Sequence, residues 1–217
     1  MMDLYVFPPS PRAFKAMAIA NYLDIDVNLR IVDLLKGDQK TAEFAALNTN
    51  MRMPVLKDGD YVLWESNAIA QYLAMKKPDR GLFPKDEHAR LNITRWQFWD
   101  LAHWDPNCAI FIFENVVKPV VLKSGEPDVA ALAKGAESFH RAAKVLDGHL
   151  RGKSFVTGDD LTIADFSLGA PLNLADAARL PLEQYGSIRR WLATLQSLPA
   201  WKKTLAQSAL PSAAVAA

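Results

Sequence analysis

The sequence predicts an α/β unit followed by an all-helical one, and three observations carry that reading. Up to about residue 76, short apolar runs with the alternation of strands are interleaved with segments of helical periodicity. Lys77-Pro78-Asp79-Arg80-Gly81-Leu82-Phe83-Pro84 then gathers proline and glycine, the composition of a linker. Beyond it the pattern stays helical to about residue 206, with a strand expected only in the short run 154–157. The 217 residues suffice for two small domains, drawn here at 1–77 and 84–207.

Within the first domain, residues 4–7 form a short apolar strand, and Pro8-Pro9-Ser10-Pro11-Arg12 turns into a helix running to about Leu23. Val27, Leu29 and Ile31 alternate with Asn28 and Arg30, so a second strand follows. Strand, helix and strand of this length make a βαβ unit with a right-handed crossover. A loop through Gly37 leads to a short helix from Thr41 to about Leu47. Apolar runs on either side of Asp58-Gly59 signal a hairpin, and a helix extends from Ser66 to about Lys76. The order βαβαββα is thioredoxin-like.

In the second domain one long apolar-rich helix is expected to kink at Pro106 and end at Pro119. Another helix covers residues 128–150. Leu161-Thr162-Ile163-Ala164-Asp165-Phe166 is a helix-start signal, with Thr162 as cap, Asp165 reaching back and Leu161 stapling against Phe166. The alanine-rich tail 208–217 is expected to fray.

Composition excludes several classes of function. With 25 basic and 24 acidic residues the net charge is +1, which does not point to nucleic acid or an acidic membrane surface. The sole cysteine, Cys108, rules out an internal disulfide and any Cys-x-x-Cys redox pair, and makes a reducing cytoplasm the default. The first residues lack a basic n-region and read as a strand, not a signal peptide. The most apolar stretch, 108–122, is interrupted by Glu114, Lys118 and Pro119 and is no membrane span. His88, His103, His140 and His149 form no motif-like cluster with Cys108, so no metal is expected.

The most informative pairing is Met53-Pro54 at the mouth of the hairpin with Glu65-Ser66 at the start of the next helix. A cis Met53-Pro54 bond would leave the Met53 backbone to pair with an extended peptide. Glu65 and Ser66 would meet a ligand carrying both charges where the helix dipole is positive. This succession resembles the glutathione transferase family, whose N-terminal domain is thioredoxin-like, and Thr162-x-x-Asp165 and Ser197-Leu198-Pro199-Ala200-Trp201 extend the resemblance across nearly the whole chain.

The resemblance implies an enzyme that joins the glutathione thiolate to small apolar electrophiles, with glutathione as co-substrate, no further cofactor, and a homodimer. A glutathione-dependent isomerase, dehalogenase or peroxide reductase, or a non-catalytic glutathione-binding module, are the alternatives on the same scaffold. It also implies that the Met53 backbone beside Pro54 binds the cysteinyl residue and that Glu65 and Ser66 take the γ-glutamyl end. Arg52 is the candidate partner of the glycine carboxylate, with Gln39 and Lys40 as alternatives. Ser10 is the only hydroxyl in the turn after the first strand and the candidate for stabilising the thiolate, its other reading being a plain helix cap. The chain departs from the family here. Matching Arg12 to the arginine common early in the first helix puts the tyrosine-type position on Val6 and a serine-type position on Pro8. Tyr5 is out of phase with Val6 and expected in the core. Trp96, Trp99 and His103 share one face at helical spacing, and Trp99 and His103 are candidates for the electrophile pocket.

Overall fold

The computed structural model describes residues 1–208; the expectation for the tail beyond Ser208 lies outside them. The chain forms two compact units, one of Met1–Arg80 with the described residues from Leu198 onward, the other Gly81–Ser197.

In the first unit β1 (Met2–Val6), α1 (Pro11–Tyr22), β2 (Val27–Ile31), α2 (Ala42–Leu47), β3 (Val55–Asp58), β4 (Tyr61–Trp64) and α3 (Ser66–Lys76) follow the expected order. The sheet order is β2-β1-β3-β4, with β1 parallel to β2 and antiparallel to β3, and β3 antiparallel to β4. Asp58 pairs with Tyr61, so the hairpin loop is Gly59-Asp60, one residue later than the dipeptide that signalled it. Gly59 at φ +61° supplies the left-handed position such a loop needs at its first residue.

The sheet buries Leu4, Val6 and Leu56 in the core, and α1 packs with α3. On its other face Tyr5 and Val55 join Val32 and Phe44, with Leu47, Met53 and Val62 packed around them. Tyr5 is half-buried against this cluster, its ring 6.2 Å from that of Phe44.

α1 is buried along Ala13–Ala20, more than one side of it. The extra cover is α9 (Pro199–Ser208), whose Trp201 ring meets Phe14 edge-on at 4.7 Å. Asn21 donates from Nδ2 to Thr204 Oγ1 and Gln207 Oε1, both at 2.8 Å. The unit boundary thus differs from the expected 84–207: α9 completes the first unit, because its buried Trp201 and Thr204 fill against α1.

The second unit is helical: α4 (Glu87–Trp99), α5 (Asp105–Ile112), α6 (Val129–Leu150), α7 (Ile163–Gly169) and α8 (Gly186–Ser197). Two π-helical segments, Asp100–Trp104 and Phe113–Val121, join α4 and α5 and extend α5. Pro106 is the second residue of α5, directly after the first π-helical segment, whose altered pitch accommodates a residue that cannot donate. Pro119 does not end the helix as expected. It lies inside the second π-helical segment, whose wider turn tolerates a residue that cannot donate, and the helix runs on to Val121.

The strand expected at 154–157 is only one bridge, Phe155 with Gly158, because the chain reverses there at once. Trp104, Phe139, Phe166 and Trp191 fill the core of this unit, and Trp104 Nε1 donates to Leu168 O at 2.8 Å. Asp165 forms the expected capping box with Thr162, whose backbone N–H it accepts at 2.9 Å. It also accepts from Val156 N at 2.8 Å and Trp191 Nε1 at 2.9 Å, tying the 155–158 turn and α8 to α7. No helix among the described residues is long and apolar enough to cross a membrane.

Candidate functional site

Strand register decides which loops of the first unit meet. Val6 ends β1 opposite Ile31, the last residue of parallel β2. Antiparallel β3 begins with Val55 opposite Tyr5, and β4 ends with Trp64 opposite Val55. The turn 7–10, the loop after β2, the segment leading into Pro54 and the start of α3 therefore all leave the same edge of the sheet. Those segments carry Ser10, Gln39, Lys40, Arg52, Met53, Pro54, Glu65 and Ser66.

The Met53-Pro54 bond is cis. Buried Asn48 fixes the approach: its Nδ2 donates to Arg52 O at 2.8 Å and its Oδ1 accepts from Asn50 N at 3.0 Å. Met53 precedes the strand ladder, and its backbone N–H and C=O make no hydrogen bond within the described residues. Pro54 is buried, Met53 half-buried and Arg52 exposed.

At the start of α3, Glu65 is exposed and holds φ +74° and ψ 114°, a conformation a non-glycine residue rarely adopts and one concentrated at functional sites. Its side chain makes no cap bond, so the first N–H groups of α3 have no side-chain acceptor from the N-cap residue. Ser66 next to it is only 3 % exposed. The loop after β2 is closed by two aspartates, with Asp33 N donating to Asp38 Oδ2 at 2.9 Å and Asp38 N to Asp33 O at 3.1 Å. This presents Gln39 and Lys40 on a short 3₁₀ turn, Asp38–Lys40. Lys40 is exposed, while the Gln39 Oε1 is buried without a hydrogen-bond partner among the described residues.

Ser10 takes the N-cap position of α1 with extended backbone angles, yet its hydroxyl makes no cap hydrogen bond. Its N–H donates to Phe7 O at 2.9 Å, which tightens the turn and leaves the hydroxyl at the positive end of α1.

Trp99 and His103 belong to the second unit. Trp96 is buried and meets Trp99 edge-on at 5.3 Å. The π-helical turn that follows changes the period, so Trp99 stacks on Trp104, five residues on, at 6.3 Å and 17°. His103 is exposed, 6.1 Å from the Trp99 ring. Cys108 is fully buried, and burial pushes its thiol well above the ordinary range, as do Asp105 and Asp100, which suits packing and not chemistry. Among the described residues no group of three His, Cys, Asp or Glu side chains is arranged to hold a metal ion.

Sequence reasoning missed Asn48, the Asp33–Asp38 closure, and the contact of Lys15 with Asn67 at the start of α3. A signal for Lys15 was present: it is the one charge inside the otherwise apolar run 13–20.

Comparison with known proteins matches residues 1–75 to the N-terminal domain of glutathione S-transferases and residues 129–194 to their C-terminal domain. The chain is 32 % identical over 216 residues to glutathione S-transferase 3 of Zea mays, covering 97 % of this chain and 96 % of that protein. It is 30 % identical over 208 residues to glutathione S-transferase D7 of Drosophila melanogaster, covering 94 % and 88 % of the two chains. The crystal structure of glutathione transferase F2 from Populus trichocarpa superposes with a TM-score of 0.89 over 96 % of this chain and 99 % of that one; at 20 % identity this match speaks for the fold. The chain belongs to the glutathione S-transferase family of enzymes.

Proposed function

We propose that this enzyme conjugates the glutathione thiolate to small apolar electrophiles, and that the edge described above is its glutathione cradle. The observation that carries the reading is the Met53 backbone, which makes no hydrogen bond within the described residues and lies next to Pro54 at the same end of the sheet as Glu65 and Ser66. Met53 pairs with the cysteinyl backbone, while Glu65 takes the ligand's amine and Ser66 with the first N–H groups of α3 takes its α-carboxylate. Arg52, Gln39 and Lys40 serve the glycine end.

Ser10 donates its hydroxyl hydrogen to the sulfur. Lowering a thiol from about 8.5 to near 7 requires about 2 kcal/mol of preference for the anion, within reach of one hydrogen bond to a charged acceptor plus a helix terminus. The sulfur lone pair then attacks the electrophilic carbon, the leaving group departs with its electron pair, and the thiol proton goes to solvent. Trp99 and His103 are proposed for the electrophile. The exposed Phe98, Phe113 and Val120 of the α4–α5 run favour a homodimer, and sedimentation at the monomer mass at micromolar concentration would contradict it.

Ultraviolet titration of bound glutathione tests the reading. A thiolate band near neutral pH is the expected result, and binding without it would leave a non-catalytic module. Turnover across halides, epoxides, isothiocyanates and hydroperoxides identifies the electrophile and separates conjugation from isomerisation or peroxide reduction.

A further inference from the structure

α1 carries one charged side chain inside its buried run. Lys15 is 2 % exposed, where lysine is rarely found unless paired. Its Nζ donates to Asn67 Oδ1 at 2.7 Å and lies 3.4 Å from Ser66 Oγ. Both acceptors are themselves buried, at 7 % and 3 % exposure, and they are the first two residues of α3. A lysine from one helix thus grips the N-terminus of another at the edge where the ligand's γ-glutamyl end is received.

Two physical consequences follow from that placement. A serine hydroxyl has one hydrogen to give and lone pairs to accept with. When Lys15 faces the lone pairs of Ser66, the hydrogen is left to point elsewhere, so the hydroxyl is presented as a donor. A donor is what a carboxylate needs. The same contacts hold the lysine beside the first turn of α3, whose N–H groups form the positive end of its dipole.

We propose that Lys15 is a positioning residue for glutathione: through Asn67 and Ser66 it holds the first turn of α3 and fixes Ser66 as a hydrogen-bond donor to the γ-glutamyl carboxylate. The proposal rests on the glutathione reading of this edge. It predicts selectivity for the γ-glutamyl group itself, which a lysine serving only to join α1 to α3 would not provide.

Calorimetry with glutathione and with cysteinylglycine, which lacks the γ-glutamyl residue, tests this on the intact protein. The wild type should prefer glutathione. Lys15→Met should lower that preference by about tenfold or more while changing cysteinylglycine affinity by less than about threefold, and Lys15→Arg should retain most of the preference. Equal weakening of both ligands by Lys15→Met would overturn the proposal. Should Lys15→Met fail to fold, Asn67→Ala decides, since it removes the 2.7 Å anchor and keeps the lysine: the same ratio should fall by about threefold or more, and an unchanged ratio would refute the role. A wild type that binds neither ligand would remove the glutathione reading and this proposal with it. One that binds both without preference would remove this proposal and the γ-glutamyl roles of Glu65 and Ser66, while equal weakening of both ligands by Lys15→Met in a wild type that does prefer glutathione removes only this proposal.

Discussion

Ser10 stands where a capping residue stands, but with no cap hydrogen bond its hydroxyl contributes little to α1. Ser10→Ala should therefore shift unfolding by less than about 0.5 kcal/mol, below the usual loss of a serine cap, while lowering turnover by roughly tenfold or more and raising the pKa of bound glutathione. Thermal unfolding and the thiol titration together check this; unchanged titration with normal turnover would move the thiolate contact to backbone groups. Asp165 is the opposite case, a folding residue with a pH signature. Burial raises its carboxyl from 3.8 to about 6, against the hydrogen bonds from Val156, Thr162 and Trp191 that favour the charged form. The native state therefore holds this proton more tightly than the unfolded chain does. The stability so gained is full below about pH 4 and is lost as pH rises through 6, about 3 kcal/mol in all. The difference in unfolding free energy between wild type and Asp165→Asn should fall by most of that amount between pH 4 and 7. A flat difference would show that the carboxyl titrates alike in both states. The sequence showed Asp165 because capping has a local pattern. It did not show that Trp191 and Val156 would share the same carboxylate, a matter of packing between distant segments.

The helices and strands of the first unit were legible because each carries its own period and stop signal, down to Thr41 capping α2 through Phe44 N. The long helix of the second unit was legible in extent but not in pitch. Periodicity assumes 3.6 residues per turn, and two π-helical segments break that assumption, moving the stacking partner of Trp99 to Trp104. The packing of α5 on α6 explains one residue that propensity alone would discourage. Gly135 lies mid-helix in α6, and a Cβ built there would meet Ile110 Cγ2 at 2.8 Å. Gly135→Ala should lose more from this overlap, about 1–3 kcal/mol, than the ~1 kcal/mol alanine gains in a helix. Denaturant unfolding should show net destabilisation, relieved in part by adding Ile110→Ala. A stabilised single variant would mean that Ile110 moves aside at little cost.

At the scale of the molecule, the two-part division was readable from the linker, and the thioredoxin-like order from the strands and helices. The return of α9 to the first unit was not, since nothing in an amphipathic helix says which unit will receive its apolar face. The loops of the proposed site, at Met53-Pro54 and Glu65-Ser66, were readable as local motifs, while the buried lysine needed the fold to bring positions 15 and 67 together. Trp201 is fully buried against α1, and Trp201→Ala should cost about 3–5 kcal/mol. Hydrogen exchange should locate the loss in α1 and α3, with glutathione affinity falling alongside; loss confined to Gly81–Ser197 would contradict the assignment of α9.

That same helix sets the timing of maturation during protein synthesis. The ribosome delivers β1 through α3 first, yet one face of α1 must stay uncovered until the whole of Gly81–Ser197 has been translated and residues 199–208 have emerged. Domains ordinarily fold in the order in which they are made. Here the unit that begins first closes last, and the nascent chain carries the exposed side of Phe14 and its neighbours through the making of an entire helical unit before Trp201 arrives to seal it.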